Sequence, residues 1–108
     1  MTRMRFLLAV VALLGAGAAA AQSAPAAKAA GPVVMYATSW CPYCAKARTY
    51  FKRNGIAYAE HDIEKSAAAN AEYKRLGGRG VPLIYVGAER MSGFSEPGFE
   101  VLLARARR

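Results

Sequence analysis

The chain has 108 residues, with 15 Lys and Arg against 7 Asp and Glu, and carries a formal charge of +8. Once a leader is set aside, that length leaves room for one small core and excludes a second domain. A basic balance suits nucleic acid, a membrane surface or acidic substrates. No aromatic and basic interleaving marks a nucleic-acid module, so no nucleic-acid partner is expected and the charge reads as a solvated surface.

Arg3 and Arg5 precede an apolar run from Phe6 to about Ala21, which ends in Ala19-Ala20-Ala21 before Gln22. This is the pattern of a secretory signal peptide cleaved after Ala21. The run dissolves into alanine and falls short of the about 20 apolar residues an uncleaved anchor needs. No cysteine follows it to take a lipid, and Arg3-Met4-Arg5 is not a twin-arginine pair. Residues 1–21 therefore read as a signal peptide, 22–31 as a disordered linker too poor in large apolar groups to join a core, and 32–108 as the folded domain. Removing the leader leaves 13 Lys and Arg against 7 Asp and Glu, because only Arg3 and Arg5 of the basic residues go with it. The mature protein is expected in a bacterial periplasm, with no stable membrane insertion.

Pro32 to Ala37 is a short apolar run that suits a buried strand. Directly after it, Trp40-Cys41-Pro42-Tyr43-Cys44 holds both cysteines of the chain. A lone Cys-x-x-Cys opening a helix after an apolar strand is a thiol–disulfide exchange site. The helix start offers unpaired N–H groups and positive dipole charge, which stabilise a thiolate at Cys41. Pro42 fits the first helical position, where its missing N–H costs nothing, and Cys44 follows almost one turn further in. Cys41 is thus the expected attacker and Cys44 the resolver. Local charge agrees, since no acid precedes Glu60 whereas Lys46, Arg48, Lys52 and Arg53 follow the motif.

Other readings of the pair are poorer. Zinc needs about four ligands, and only His61 could join the two cysteines, so no metal site is expected. A structural disulfide closing so short a loop would restrict the unfolded chain very little. A binding module is the alternative from another class: two soft thiolates could hold Cu(I), or a dimer could share an iron–sulfur cluster. Trp40 and Tyr43 flank the nucleophile as an apolar platform for substrate.

The helix opened by Pro42 runs to Asn54, with Ala45, Ala47, Tyr50 and Phe51 available for its inner face and Gly55 as its stop. Ile56 to Ile63 reads as a second strand, and Ser66 caps a helix through about Leu76, ended by Gly77-Gly78-Arg79-Gly80. Pro82 to Val86 is a third strand, Gly87-Ala88 a turn, and Glu89 to Ser92 a fourth strand. Ser95 caps a last helix carrying Phe99, Leu102 and Leu103, whose closing Arg105, Arg107 and Arg108 complement its dipole. His61 reads as structural, and Tyr36, Tyr58, Tyr73 and Tyr85 as packing. The order predicts an α/β, thioredoxin-like fold: a small mixed four-stranded sheet covered by three helices, with the cysteines beyond the carboxyl end of the first strand.

Cys41-Pro42-Tyr43-Cys44, Gly80-Val81-Pro82 and Ser92-Gly93-Phe94, in that order, resemble the three signature segments of a glutaredoxin, over about residues 32 to 104. The resemblance implies a cis bond before Pro82 and a Val81 backbone that pairs with the cysteine of glutathione. By resemblance Val81 and Pro82 line the substrate groove; Tyr43, Gly93, Phe94 and Ser95 are the further residues expected to bind substrate or glutathione, with Ser95 and the helix start available to a carboxylate. Arg79 is the cation left for the other glutathione carboxylate. Two positions depart from the family pattern. Many glutaredoxins carry a basic residue where this chain has Thr38, and Phe94 stands where a second glycine or a small residue is common.

The Ser-Gly-Phe segment is similar to that of redoxins reduced by thioredoxin reductase instead of glutathione. The resemblance implies a thiol–disulfide oxidoreductase that reduces protein disulfides or glutathione mixed disulfides through Cys41 and Cys44. Glutathione is then a co-substrate and no cofactor is tightly bound; separately, the lack of a clear interface pattern makes a monomer the expectation. The alternative is a thioredoxin-like redoxin fed by a protein electron donor.

Overall fold

A computed structural model describes residues 31–108. The expected signal peptide, and all of the expected linker but Gly31, lie outside the described residues. Seven elements follow in order: β1 (Val33–Ala37), α1 (Pro42–Arg53), β2 (Ala59–Asp62), α2 (Ala67–Arg75), β3 (Leu83–Val86), β4 (Glu89–Ser92) and α3 (Glu96–Ala106). The strands form one mixed sheet in the order β2-β1-β3-β4. β1 pairs parallel with β2 and antiparallel with β3, and β3 pairs antiparallel with β4. This is the expected α/β, thioredoxin-like arrangement.

The continuous apolar sequence of β1 is explained by its place at the centre of the sheet, where both faces are covered. Successive side chains go to opposite faces. Val33, Met35 and Ala37 of β1, with Ile84 and Val86 of β3, join a core with Phe51, Phe94, Phe99 and Leu102. Tyr36 and Leu83 point the other way and meet Tyr73 of α2.

The second strand is shorter than its apolar flanks suggest. Ala59, Glu60 and His61 are exposed, so this edge strand is fixed by its ladder to β1, from Val34 with Ala59 to Ala37 with Asp62, and hardly by burial. Ile56 falls outside because its N–H bonds to Phe51 O at 2.8 Å, closing the turn after α1 in which Gly55 has φ +62°. The third strand begins at Leu83 because Pro82 has no N–H to give to a ladder. Ser66 and Ser95 cap their helices as expected, accepting from Ala69 N–H and Gly98 N–H, each at 3.1 Å.

Candidate functional site

Cys41 itself is the N-cap of α1, with Pro42 in the first turn. Its Sγ accepts the Cys44 N–H at 3.2 Å, so one of the orphan donors of the helix start points at the sulfur. On its other side the Cys41 thiol donates to the Val81 carbonyl at 3.6 Å. One sulfur therefore touches both the helix start and the segment before Pro82. The Val81–Pro82 bond is cis. Among the described residues no backbone group pairs with Val81, which leaves its N–H and much of its carbonyl for another chain.

Both cysteines are free thiols, Cys41 4% exposed and Cys44 fully buried. Burial, reinforced by its interaction with Cys41, pushes the Cys44 thiol up to about 12, against opposing help from the Thr38 backbone and the Arg48 charge. Trp40 and Tyr43, on either side of Cys41 in sequence, are 67% and 54% exposed. The indole N–H of Trp40 donates to Glu64 Oε1 at 2.5 Å, and Lys46 Nζ lies 5.0 Å from the centre of the Tyr43 ring.

Tyr43, Phe94 and Ser95 meet at a cleft of about 590 Å³ between α1 and the start of α3, whose wall also includes Lys46, Arg53 and Glu96. Phe94 is more core than surface. It is 8% exposed, with its ring 5.6 Å from Tyr50 and 6.2 Å from Phe51 between centres. Gly93 adopts φ +81° and gives its N–H to Pro82 O at 2.7 Å, tying the end of β4 to the proline segment. Arg79 is exposed on the loop before Gly80, and no contact joins it to either cysteine. The structure thus draws Cys41, Val81, Pro82 and Gly93 into one linked set and Tyr43, Phe94 and Ser95 into an adjoining cleft, leaving Arg79 outside both.

Two groups near the thiols, Thr38 and Arg48, have surroundings that the sequence alone does not reveal. Thr38 is buried, and its Oγ1 has no hydrogen-bond partner. Arg48 reaches from α1 to Glu60 on β2, Nε to Oε1 at 2.7 Å and Nη2 to Oε2 at 2.8 Å, and also donates from Nη2 to Thr38 O at 3.0 Å. Its position one turn after Cys44 on the same helix face was the available signal. The His61 ring lies tilted beside Tyr36, with ring centres 5.3 Å apart. Among the described residues no three His, Cys, Asp or Glu side chains gather as a metal site.

Comparison with known proteins gives a consistent answer. Residues 33–91 match the family model described as Glutaredoxin. A glutaredoxin of Pseudomonas aeruginosa is 36% identical over 63 residues, which is 57% of this chain and 75% of that protein. Among solved structures, a mutant of the thioredoxin-like protein BC3987 is 30% identical with a TM-score of 0.60, covering 67% of this chain and 94% of that one. A buckwheat glutaredoxin–glutathione complex shares the fold at 20% identity and a TM-score of 0.55, over 75% of this chain and 82% of that one.

Proposed function

The chain belongs to the glutaredoxin family and is a thiol–disulfide oxidoreductase, and on that premise we propose that it reduces glutathione mixed disulfides and protein disulfides, with Cys41 as nucleophile. The observation that carries the proposal is the Cys41 sulfur, set between the N–H groups of the α1 start and the Val81 carbonyl. A thiolate formed there is stabilised by the helix start. It attacks one sulfur of the substrate disulfide, the new bond forms at Cys41, and the other sulfur leaves as a thiol. An extended substrate can pair with the Val81 backbone while this happens, in the manner of an added strand. Cys44 or a second thiol then releases Cys41.

Glutathione enters as co-substrate, and no tightly bound cofactor takes part. The leader implies export, so the protein works in an oxidising periplasm and needs an electron donor, and with no clear interface pattern in the sequence it works as a monomer. Glutaredoxin potentials of about −200 to −230 mV lie well below the roughly −120 mV of the strong periplasmic oxidant, which favours a reductant or isomerase over an oxidase. Buried Thr38 and core-packed Phe94 favour a second reading, in which a protein donor replaces glutathione.

The deciding measurement is glutathione-dependent reduction of a glutathionylated peptide by protein beginning at Gln22, for wild type, Cys44→Ser and Cys41→Ser. Turnover by the first two and none by the third is expected. No turnover by wild type, with dithiol exchange intact, would overturn glutathione use and leave the protein-donor reading. Activity in Cys41→Ser would overturn the assignment of the nucleophile.

A further inference from the structure

Cys44 is fully buried, and α1 carries Arg48 one turn later on the same side of the helix. The Arg48 guanidinium is not free to wander. Two hydrogen bonds hold it to Glu60, and a third binds the Thr38 carbonyl, at the junction of β1 and the cysteine turn. A planar fork held by a carboxylate at two points keeps its charge in one place, which a lysine ammonium would not do. The Thr38 backbone, like the Arg48 charge, favours the thiolate form of the second thiol. From the linked positions of Cys44, Thr38, Arg48 and Glu60, we infer that Arg48 is a positioning residue for the resolving step, holding a fixed positive charge against the buried second thiol.

The inference rests on the dithiol reading of Cys41 and Cys44. When Cys41 is joined to a substrate sulfur, Cys44 must lose its proton to solvent and attack Cys41 Sγ. The Cys41–Cys44 bond then forms, the bond to the substrate sulfur breaks, and that sulfur leaves as a thiolate that takes up a proton. Negative charge thus appears on a sulfur with no exposed surface. Arg48, one turn further along the same helix and tied to Thr38 O and Glu60, is the fixed cation on that side of α1, and it and the Cys44 thiolate favour each other's charged forms. The other titratable neighbours are Cys41 at the thiol, and Glu60 and Tyr58 at the guanidinium. The first attack falls to Cys41, whose sulfur is held by the helix start and for which Arg48 is only one of several basic residues on α1, so loss of Arg48 should act mainly on the second step.

The two steps can be timed apart with substoichiometric dithiobis-nitrobenzoate and the reduced protein, a reagent independent of glutathione. Attack by Cys41 frees one coloured thiolate, and attack by Cys44 on the resulting mixed disulfide frees the second. Arg48→Met is expected to leave the first phase within about two-fold of wild type. The second should slow by roughly ten-fold near neutral pH, with its pH profile displaced upward by about one unit. Arg48→Lys, which keeps the charge without the fork, should recover only part of the loss and serves if the methionine variant does not fold. Equal slowing of both phases, or an unchanged second phase, would overturn the inference. A wild type with no second phase, or one whose first phase survives Cys41→Ser, would overturn the dithiol reading beneath it.

Discussion

On one face of the sheet Met35, Ile84 and Val86 meet three phenylalanine rings, Tyr50 and the buried Cys44, whereas on the other Tyr36 and Leu83 pack against Tyr73 alone among buried side chains. The thick face carries α1, and with it both thiols. The thin face carries α2, and beyond it the loop from Gly77 to Pro82 that brings Val81 to Cys41. Burial anchors one half of the site and a few directed contacts place the other. In the thin half Tyr73 gives its hydroxyl to Gly80 O at 2.8 Å, and Arg90 donates to Leu76 O at 2.7 Å. The nucleophile is thus held by packing and its backbone partner by hydrogen bonds.

Removing a large ring from the thick face tests that division most severely. Phe51 is fully buried, with ring centres 4.7 Å from Tyr58 and 5.1 Å from Phe99. Phe51→Ala should destabilise the domain by about 3–5 kcal/mol, a large share of the about 5–15 kcal/mol a domain usually has. Chemical denaturation should show one cooperative loss, and activity should vanish with the fold. A variant that kept its stability would show that the thick face is not the anchor.

The same face makes reduced protein sensitive to alkali. Burial raises the Cys44 thiol from an ordinary value of 9.0 to about 12, so the folded chain keeps a proton that the unfolded chain gives up. Between those values the unfolded state binds fewer protons, and stability falls as pH rises. The contribution is fully present below pH 9.0 and is lost as pH approaches about 12. Reduced wild type should therefore lose denaturation midpoint above pH 9.0 more steeply than Cys44→Ala. Parallel pH profiles would show that Cys44 titrates much as in the unfolded chain.

A smaller effect is expected where the loop leaves α2. A Cβ on Gly78 would run into the Tyr73 ring, so even alanine must push aside the side chain that holds Gly80. Overpacking of this kind costs about 1–3 kcal/mol. Because Val81 follows directly, Gly78→Ala should also slow exchange with disulfide substrates at pH values where the protein remains folded. Stability loss without a rate change would separate the loop from the site.

The thick half is legible in sequence because its signals are local. An apolar run, a Cys-x-x-Cys with proline at the helix start, and Ser95 before α3 each act within a few residues. The β2 strand resists such a reading, since Ala59, Glu60 and His61 carry no buried face and pair only because β1 offers an edge. Phe94 is only half legible for a related reason. Its place in a motif marks it as site lining, and it does reach the cleft wall, but the Tyr50 and Phe51 rings of α1 also bury most of its surface, which the motif does not show. The Arg48 link joins residues ten and twelve positions apart across three segments, and spacing along one helix cannot reveal it.

The mildest change sharpens the comparison most, because it alters the thin half without touching its packing. Tyr73→Phe removes only the hydroxyl that donates to Gly80 O. A single neutral hydrogen bond is worth about 1 kcal/mol, and the loop carbonyl left behind can turn to water. The midpoint of unfolding should therefore fall only slightly. Exchange should slow more than that loss of stability explains, because Gly80 leads into Val81, whose carbonyl faces the Cys41 sulfur at 3.6 Å. Comparing the rate with that of Ser66→Ala, which weakens α2 by a similar amount through its cap, separates the two effects. If both variants slow exchange equally, the loop is placed by the stability of α2 as a whole. If only Tyr73→Phe does so, the hydroxyl itself holds the substrate-facing backbone at the thiol.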